Sequence, residues 1–226
     1  MRKIYLIRHG QSTANAGGEA QPNSQIPLTQ LGHKQAHSVA QWVQHTLGDH
    51  IESISVSSFL RTQQTAQPLL ERVAMSAQII EGLQEFNYLS FSCIEGRDFA
   101  TRLALMDEYW ASAHPEYSQG ADAESFAQFY QRVAKVLNDF EQFEDGNHVV
   151  YTHGFWISML IWQLLGQSAQ SDRDVVKFRQ FEQSIRAQNG EVFCLTLPAK
   201  HSGQSYPPSI TKVRSCPNQN SDLSAQ

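Results

Sequence analysis

Residues 4–15 read Ile4-Tyr5-Leu6-Ile7-Arg8-His9-Gly10-Gln11-Ser12-Thr13-Ala14-Asn15. Four apolar residues, some β-branched or aromatic, stop abruptly at Arg8-His9-Gly10. A short apolar run of this kind suits a buried strand. A buried strand that ends in a charged, glycine-containing turn carries those polar groups to one edge of its sheet. In open α/β sheets, ligands bind at that carboxyl edge. Arg8 offers a planar fork of donors shaped for phosphate or carboxylate. His9 offers a ring nitrogen that can attack, or accept a proton, near neutral pH. Gly10 would let the backbone come close to a ligand.

The same logic returns late in the chain. His148 to Tyr151 is a second apolar run, and it ends in Thr152-His153-Gly154. Between the two lies a further strand, Ile51 to Val56, followed by Ser57-Ser58-Phe59-Leu60-Arg61-Thr62-Gln63-Gln64-Thr65-Ala66. The two serines are expected to cap the next helix, whose N-terminus favours anions through its free N–H groups and its dipole. Arg61 in the first turn is unfavourable to that dipole and calls for a negative partner, for which phosphate is a natural candidate. Leu83-Gln84-Glu85-Phe86 follows. The pattern by itself does not select Glu85 over Glu95, Asp107 or Glu108.

Taken in order, these stretches resemble the histidine phosphatase superfamily, which includes the phosphoglycerate mutases. The shared features are RHG after an initial strand, an S-x-x-R-T-x-Q-T-A segment, a later acid, and a late strand ending in histidine. The resemblance covers residues 4 to 154. It implies a three-layer α/β/α fold with a mainly parallel central sheet. It also implies a metal-independent phosphatase acting on a small phosphorylated metabolite. His9 would form a phosphohistidine, Arg8, Arg61 and His153 would hold the phosphoryl oxygens, and Glu85 would be general acid and base. Gln11 and Asn15 are plausible supporting donors. No metal or other cofactor is expected, because two arginines and a histidine supply the positive charge and no carboxylate cluster suits magnesium. Mutases of the family follow the acid with Arg and then Tyr-Gly. Here the stretch is Glu85-Phe86-Asn87-Tyr88-Leu89, which favours phosphatase over mutase. An inactive phospho-ligand binding module is a third reading, disfavoured because binding alone needs neither nucleophile nor acid.

The bulk properties agree. The chain has 226 residues, 41% hydrophobic, with formal net charge −5. One domain is expected over residues 1–197, with a cap at 86–123 that sets specificity and a polar tail at 198–226. The negative balance argues against non-specific nucleic-acid binding. No run approaches the ~18 apolar residues of a membrane span, and the apolar part of MRKIYLIRHG is too short for an export signal, so a cytoplasmic location is expected. Cys93, Cys194 and Cys216 are odd in number and far apart, which indicates neither a disulfide framework nor a zinc site. Oligomeric state is not encoded in any pattern we recognise.

The remaining segments read as follows. Residues 16–27 are loop and should border the pocket. Thr29 should cap a helix with Leu31, Val39, Ala40, Val43 and Leu47 on one face. His33 and His37 on that helix read as a solvated pair. Pro68 should kink or divide the helix after Arg61. Gln78 to Ile80 is a weak strand. Arg97 to Ser112 looks helical, with Phe99, Leu103, Met106 and Trp110 on a stripe expected to pack. Glu124 to Phe143 is a strongly amphipathic helix, and Phe155 to Leu165 a very apolar one. Asp172 should cap a last helix. Val192 to Leu197 and Ser209 to Ser215 read as strands, the latter at an edge, and the rest of the tail reads as mobile.

Overall fold

A computed structural model describes residues 1–200 and 207–216 of the chain. The expectation of a mobile tail falls mostly on residues 201–206 and 217–226, which lie outside the described residues. Among the described residues, six strands form one sheet: β1 (Arg2–Arg8), β2 (Ser53–Val56), β3 (Ala77–Ile79), β4 (Gly146–Thr152), β5 (Val192–Leu197) and β6 (Ser209–Arg214). Their spatial order is β3-β2-β4-β1-β5-β6. The first four are mutually parallel, whereas β5 runs antiparallel to β1 and β6 antiparallel to β5. The helices are α1 (Gln30–Leu47), α2 (Leu60–Leu70), α3 (Phe91–Ile94), α4 (Phe99–Ser112), α5 (Phe126–Phe140), α6 (Gly154–Leu164) and α7 (Asp172–Ile185).

Side chains alternate across a strand, and here that alternation builds two cores. Ile4 and Leu6 of β1, with Val150 of β4, pack under α5, α6 and α7. Tyr5 and Ile7, with Val149 and Tyr151, pack under α1 and α2. This is the three-layer α/β/α sandwich that the sequence order suggested, with a mixed but mostly parallel sheet. β1 and β4 are hydrogen-bonded neighbours in register Arg8↔Thr152, so the two histidine turns emerge side by side. β6 is the edge strand expected near residue 209.

Several boundaries shift for local reasons. Thr29 caps α1 as expected, its hydroxyl accepting from Gly32 N–H. Ser57 and Ser58 do not cap α2. Phe59 occupies the cap position, because Ser57 Oγ bonds His153 and Phe59 N–H while Ser58 Oγ accepts from Gln84. Pro68 does not divide the helix: it sits in the last turn, and α2 ends at Leu70. The cap of α7 is Ser171, one residue earlier than expected, in a reciprocal capping box with Asp174.

Candidate active site

The site grows from the β1 turn. His9 N–H donates to Thr152 O at 3.0 Å, which continues the β1–β4 pairing one residue past the strands. Gly10 is required by a backbone contact: a Cβ there would lie 2.4 Å from Gly32 O. The close approach is therefore to α1, and a ligand is not its cause. Gly32 mirrors it, since its own Cβ would lie 2.1 Å from Gln11 O. Two glycines let the start of α1 press against the turn that carries His9.

The His9 ring has a defined tautomer. Nδ1 lies 2.7 Å from Gly10 O, so it holds the proton and donates it. Nε2 receives the Arg61 Nε–H at 3.2 Å, so it carries the lone pair. Burial, then the charges of Arg61 and Arg8, hold this imidazole well below the ordinary histidine range, against the Gly10 contact. It is neutral at pH 7. The ring of His153 stands edge-on to it, centroids 5.1 Å apart. His153 Nε2 lies 2.9 Å from Ser57 Oγ. The same oxygen accepts Phe59 N–H at 3.2 Å. Nδ1 of His153 is buried with no partner among the described residues. His153 too is held well below its ordinary range, first by burial and then by Arg61.

The arginines come from two elements. Arg8, at the end of β1, donates through Nη1 to Ala187 O, while its Nε is buried and unpartnered among the described residues. Gly154 makes room for it: a Cβ there would sit 3.2 Å from Arg8 Nε. Arg61, in the first turn of α2, donates through Nη1 to Asn23 O at 2.7 Å and lies over the Phe59 ring. Burial, more than its neighbours, lowers Arg61 to about 10, so it stays charged at neutral pH. His9, His153 and Arg61 are 2%, 0% and 4% exposed. They form a floor, roofed by the Arg61–Asn23 contact.

Beside these three residues, which do not line it, is a cavity of about 930 Å³ bordered by Arg8, Asn15, Asn23, Phe59 and Glu85. The loop 16–27 borders it as expected. Glu85 accepts from Phe86 N–H at 3.0 Å and from Phe155 N–H, in the first turn of α6, at 3.3 Å. Burial raises this carboxyl above its usual range, although Arg61, the two N–H groups and Arg8 all oppose the rise. The loop that carries it is pinned from beneath. Arg132 of α5 donates to Gly82 O and Gln84 O, at 2.7 and 2.8 Å, and pairs with Glu124. Trp156 Nε1 and Thr152 Oγ1 hold Gly82 O and Leu83 O. The rivals Glu95, Asp107 and Glu108 are exposed.

The structure thus gathers Arg8, His9, Arg61, Glu85 and His153 around one point and puts Asn15 on the cavity rim. It ties Gln11 to the start of α1 instead, its side-chain oxygen accepting from Thr29 Oγ1 at 2.8 Å. Sequence reasoning missed three supports. Asn189 Nδ2 donates to His9 O and Asn15 Oδ1, Ser57 was read as a cap, and Arg132 on α5 was not singled out. The Ser and Arg signals were present but had no spatial address. Among the described residues, no group of three or more His, Cys, Asp or Glu side chains is placed to hold a metal ion, and no helix is long and apolar enough to cross a membrane.

Residues 4–185 match the model of the histidine phosphatase superfamily, branch 1. A protein named probable phosphoglycerate mutase GpmB from Yersinia pestis strain Pestoides F is 30% identical over 177 residues, 76% of this chain and 79% of that one. Among solved structures, a putative alpha-ribazole-5'-P phosphatase from Escherichia coli superposes with TM-score 0.72 at 24% identity, covering 95% of this chain and 98% of that one. Phosphoserine phosphatase from Entamoeba histolytica, in complex with 3-phosphoglyceric acid, gives TM-score 0.70 at 24% identity over 96% and 98% of the two chains.

Proposed function

The chain belongs to the histidine phosphatase superfamily, and from that premise we propose that it hydrolyses a small phosphomonoester through a phosphohistidine on His9. The observation that carries this reading is the His9 ring itself: proton on Nδ1 against Gly10 O, lone pair on Nε2 facing Arg61. An imidazole held neutral with its lone pair aimed at a guanidinium is a nucleophile waiting beside a phosphate clamp.

In the first step His9 Nε2 attacks phosphorus and the P–O bond to the alcohol breaks. Arg61 transfers its Nε–H from the ring to a phosphoryl oxygen, and Arg8 Nε and His153 Nδ1–H donate to the others. Such positioning and charge stabilisation do most of the work of phosphoryl transfer. Glu85, whose carboxyl burial raises above its usual range, gives its proton to the leaving alkoxide. In the second step water attacks phosphorus, Glu85 takes the water proton, and the P–N bond breaks to return neutral His9 and inorganic phosphate. No metal enters either step.

A mutase reading has the name of the curated relatives on its side. Against it, Phe86 stands directly after the acid and stacks on Phe129, ring centroids 4.5 Å apart. That position serves the core, so no basic side chain from it can hold a second charged group. One assay decides: the protein is incubated with p-nitrophenyl phosphate, sugar phosphates, phosphoglycerates and nucleotides, with and without EDTA, and free phosphate is followed. Steady release that survives EDTA and disappears in His9→Ala supports the proposal. Isomerised phosphoglycerate without release would establish the mutase. Retained phosphate binding with no turnover would leave a binding module.

A further inference from the structure

The cavity is far larger than a phosphate group, and its volume is of the order that encloses a drug-sized ligand. Its walls differ sharply in chemistry. One wall is α4, whose Phe99, Leu103 and Met106 line the cavity at successive turns of one stripe. These residues were expected to pack inward. They instead keep 49%, 44% and 36% of their surface exposed, while Trp110, next on the same stripe, is buried against Phe155. Phe91 and Ile94 of α3 line the same space. A contiguous exposed apolar surface marks an interaction site, and this one is continuous with the cavity over Arg8 and Glu85.

Charge argues in the same direction. Seven acidic and five basic side chains line the cavity, so away from the phosphate floor it does not attract anions. Arg179 and Arg186 of the α7 end are both engaged by the buried Glu182, at 2.9 and 2.7 Å. Arg132 is engaged by Glu124. Arg102 donates to Gly18 O at 2.6 Å and lies over Phe99. A second phosphate or carboxylate would therefore meet paired arginines and surplus carboxylates.

We propose that the alcohol half of the substrate is a neutral apolar body, alkyl or aryl, that lies along the Phe99–Leu103–Met106 face of α4. This rests on the phosphatase reading for its phosphate end and adds the class of the leaving group. The test uses n-alkylphosphonates from methyl to octyl, whose P–C bond is not hydrolysed, with Kd measured by calorimetry. The matching alkyl phosphates and 3-phosphoglycerate are assayed for hydrolysis in parallel. The Kd is expected to fall about two- to fourfold per added methylene beyond the first few, as partial to full burial of each CH₂ would give. Octyl phosphate should exceed 3-phosphoglycerate in kcat/KM by about a hundredfold, and Leu103→Gln should reduce the octyl-to-methyl affinity ratio several-fold. A Kd that stays flat along the series overturns the inference, whether or not hydrolysis is seen, and with hydrolysis it leaves the phosphatase reading intact. Chain-length-dependent binding without any hydrolysis supports the apolar subsite and overturns the phosphatase reading instead.

Discussion

Replacing Glu85 by glutamine removes a titratable proton while keeping the shape of the side chain. The carboxylate accepts two backbone N–H groups, from Phe86 and Phe155. An amide has one oxygen, so one of these donors loses its acceptor, at a local cost of about 1–3 kcal/mol. The loop keeps its other ties to Arg132, Trp156 and Thr152, so it should stay in place and the chemistry should take the main loss. A positioned general acid contributes about 10²–10⁴ in rate, which corresponds to about 3–5 kcal/mol of barrier. That loss should depend on the leaving group. An alkyl phosphate must expel an alkoxide, which needs the proton. p-Nitrophenolate leaves without one, so its first step should fall by less than about tenfold. Water attack on phosphohistidine also uses Glu85 and should slow for both esters. Stopped-flow assay of Glu85→Gln with p-nitrophenyl phosphate should then show a burst of about one nitrophenol per site, followed by slow turnover. Equal losses in the first step for both esters, with no burst, would remove Glu85 from the proton path and refute the reasoning.

Three further outcomes follow from the geometry. Ser57→Ala strips the hydroxyl that holds His153 Nε2 and also leaves Phe59 N–H unpaired; kcat/KM should drop about tenfold, the equivalent of one hydrogen bond, and an unchanged value would show that Ser57 does not orient the ring. Gly32→Ala gains up to ~1 kcal/mol of helix propensity but drives a Cβ into Gln11 O; the clash should win by about 1–3 kcal/mol, and a rise in Tm would contradict the contact. The two buried histidines also set a pH dependence of stability. Both are held below their ordinary range by burial and Arg61, so the unfolded chain takes up two protons that the folded chain refuses. Their contribution is complete above about pH 6.5 and is lost as pH falls, by up to about 2.7 kcal/mol per pH unit; Glu85, raised by burial, acts in the opposite sense. Urea midpoints at pH 7.5, 6.5 and 5.5 measure this, and a flat series would mean the rings are charged or exposed.

The parts of the fold written in local pattern were readable from sequence. Apolar runs ending in His9 and His153 gave the two central strands, 3-4 spacing gave α1 and α5, and continuous apolarity gave α6. Arg8, His9, Arg61 and His153 could be placed because each sits at a strand end or in a helix first turn, whereas Glu85 was placed only by the family resemblance. What was not legible depended on distance between remote residues. Nothing near Asn189 announces that it will bond His9 O. Nothing in the α2 segment says that Ser57 faces His153 and leaves the cap to Phe59. The α4 stripe has a packing period, but periodicity cannot tell a face turned to the core from one turned to a cavity. Gly10 was read for its nearness to a ligand, and only its distance to Gly32 reveals the true constraint.

The strand that carries His9 is interior to the sheet, and both of its neighbours, residues 146–152 and 192–197, come from the other half of the polypeptide. During synthesis its greasy residues must wait unshielded while well over half the chain is still being made. Pairings of such long sequence separation form slowly and leave a growing chain open to aggregation. No fragment that stops short of residue 153 can present both imidazoles together, so phosphate release by this protein would double as a report that residues 146–152 have zipped onto the first strand.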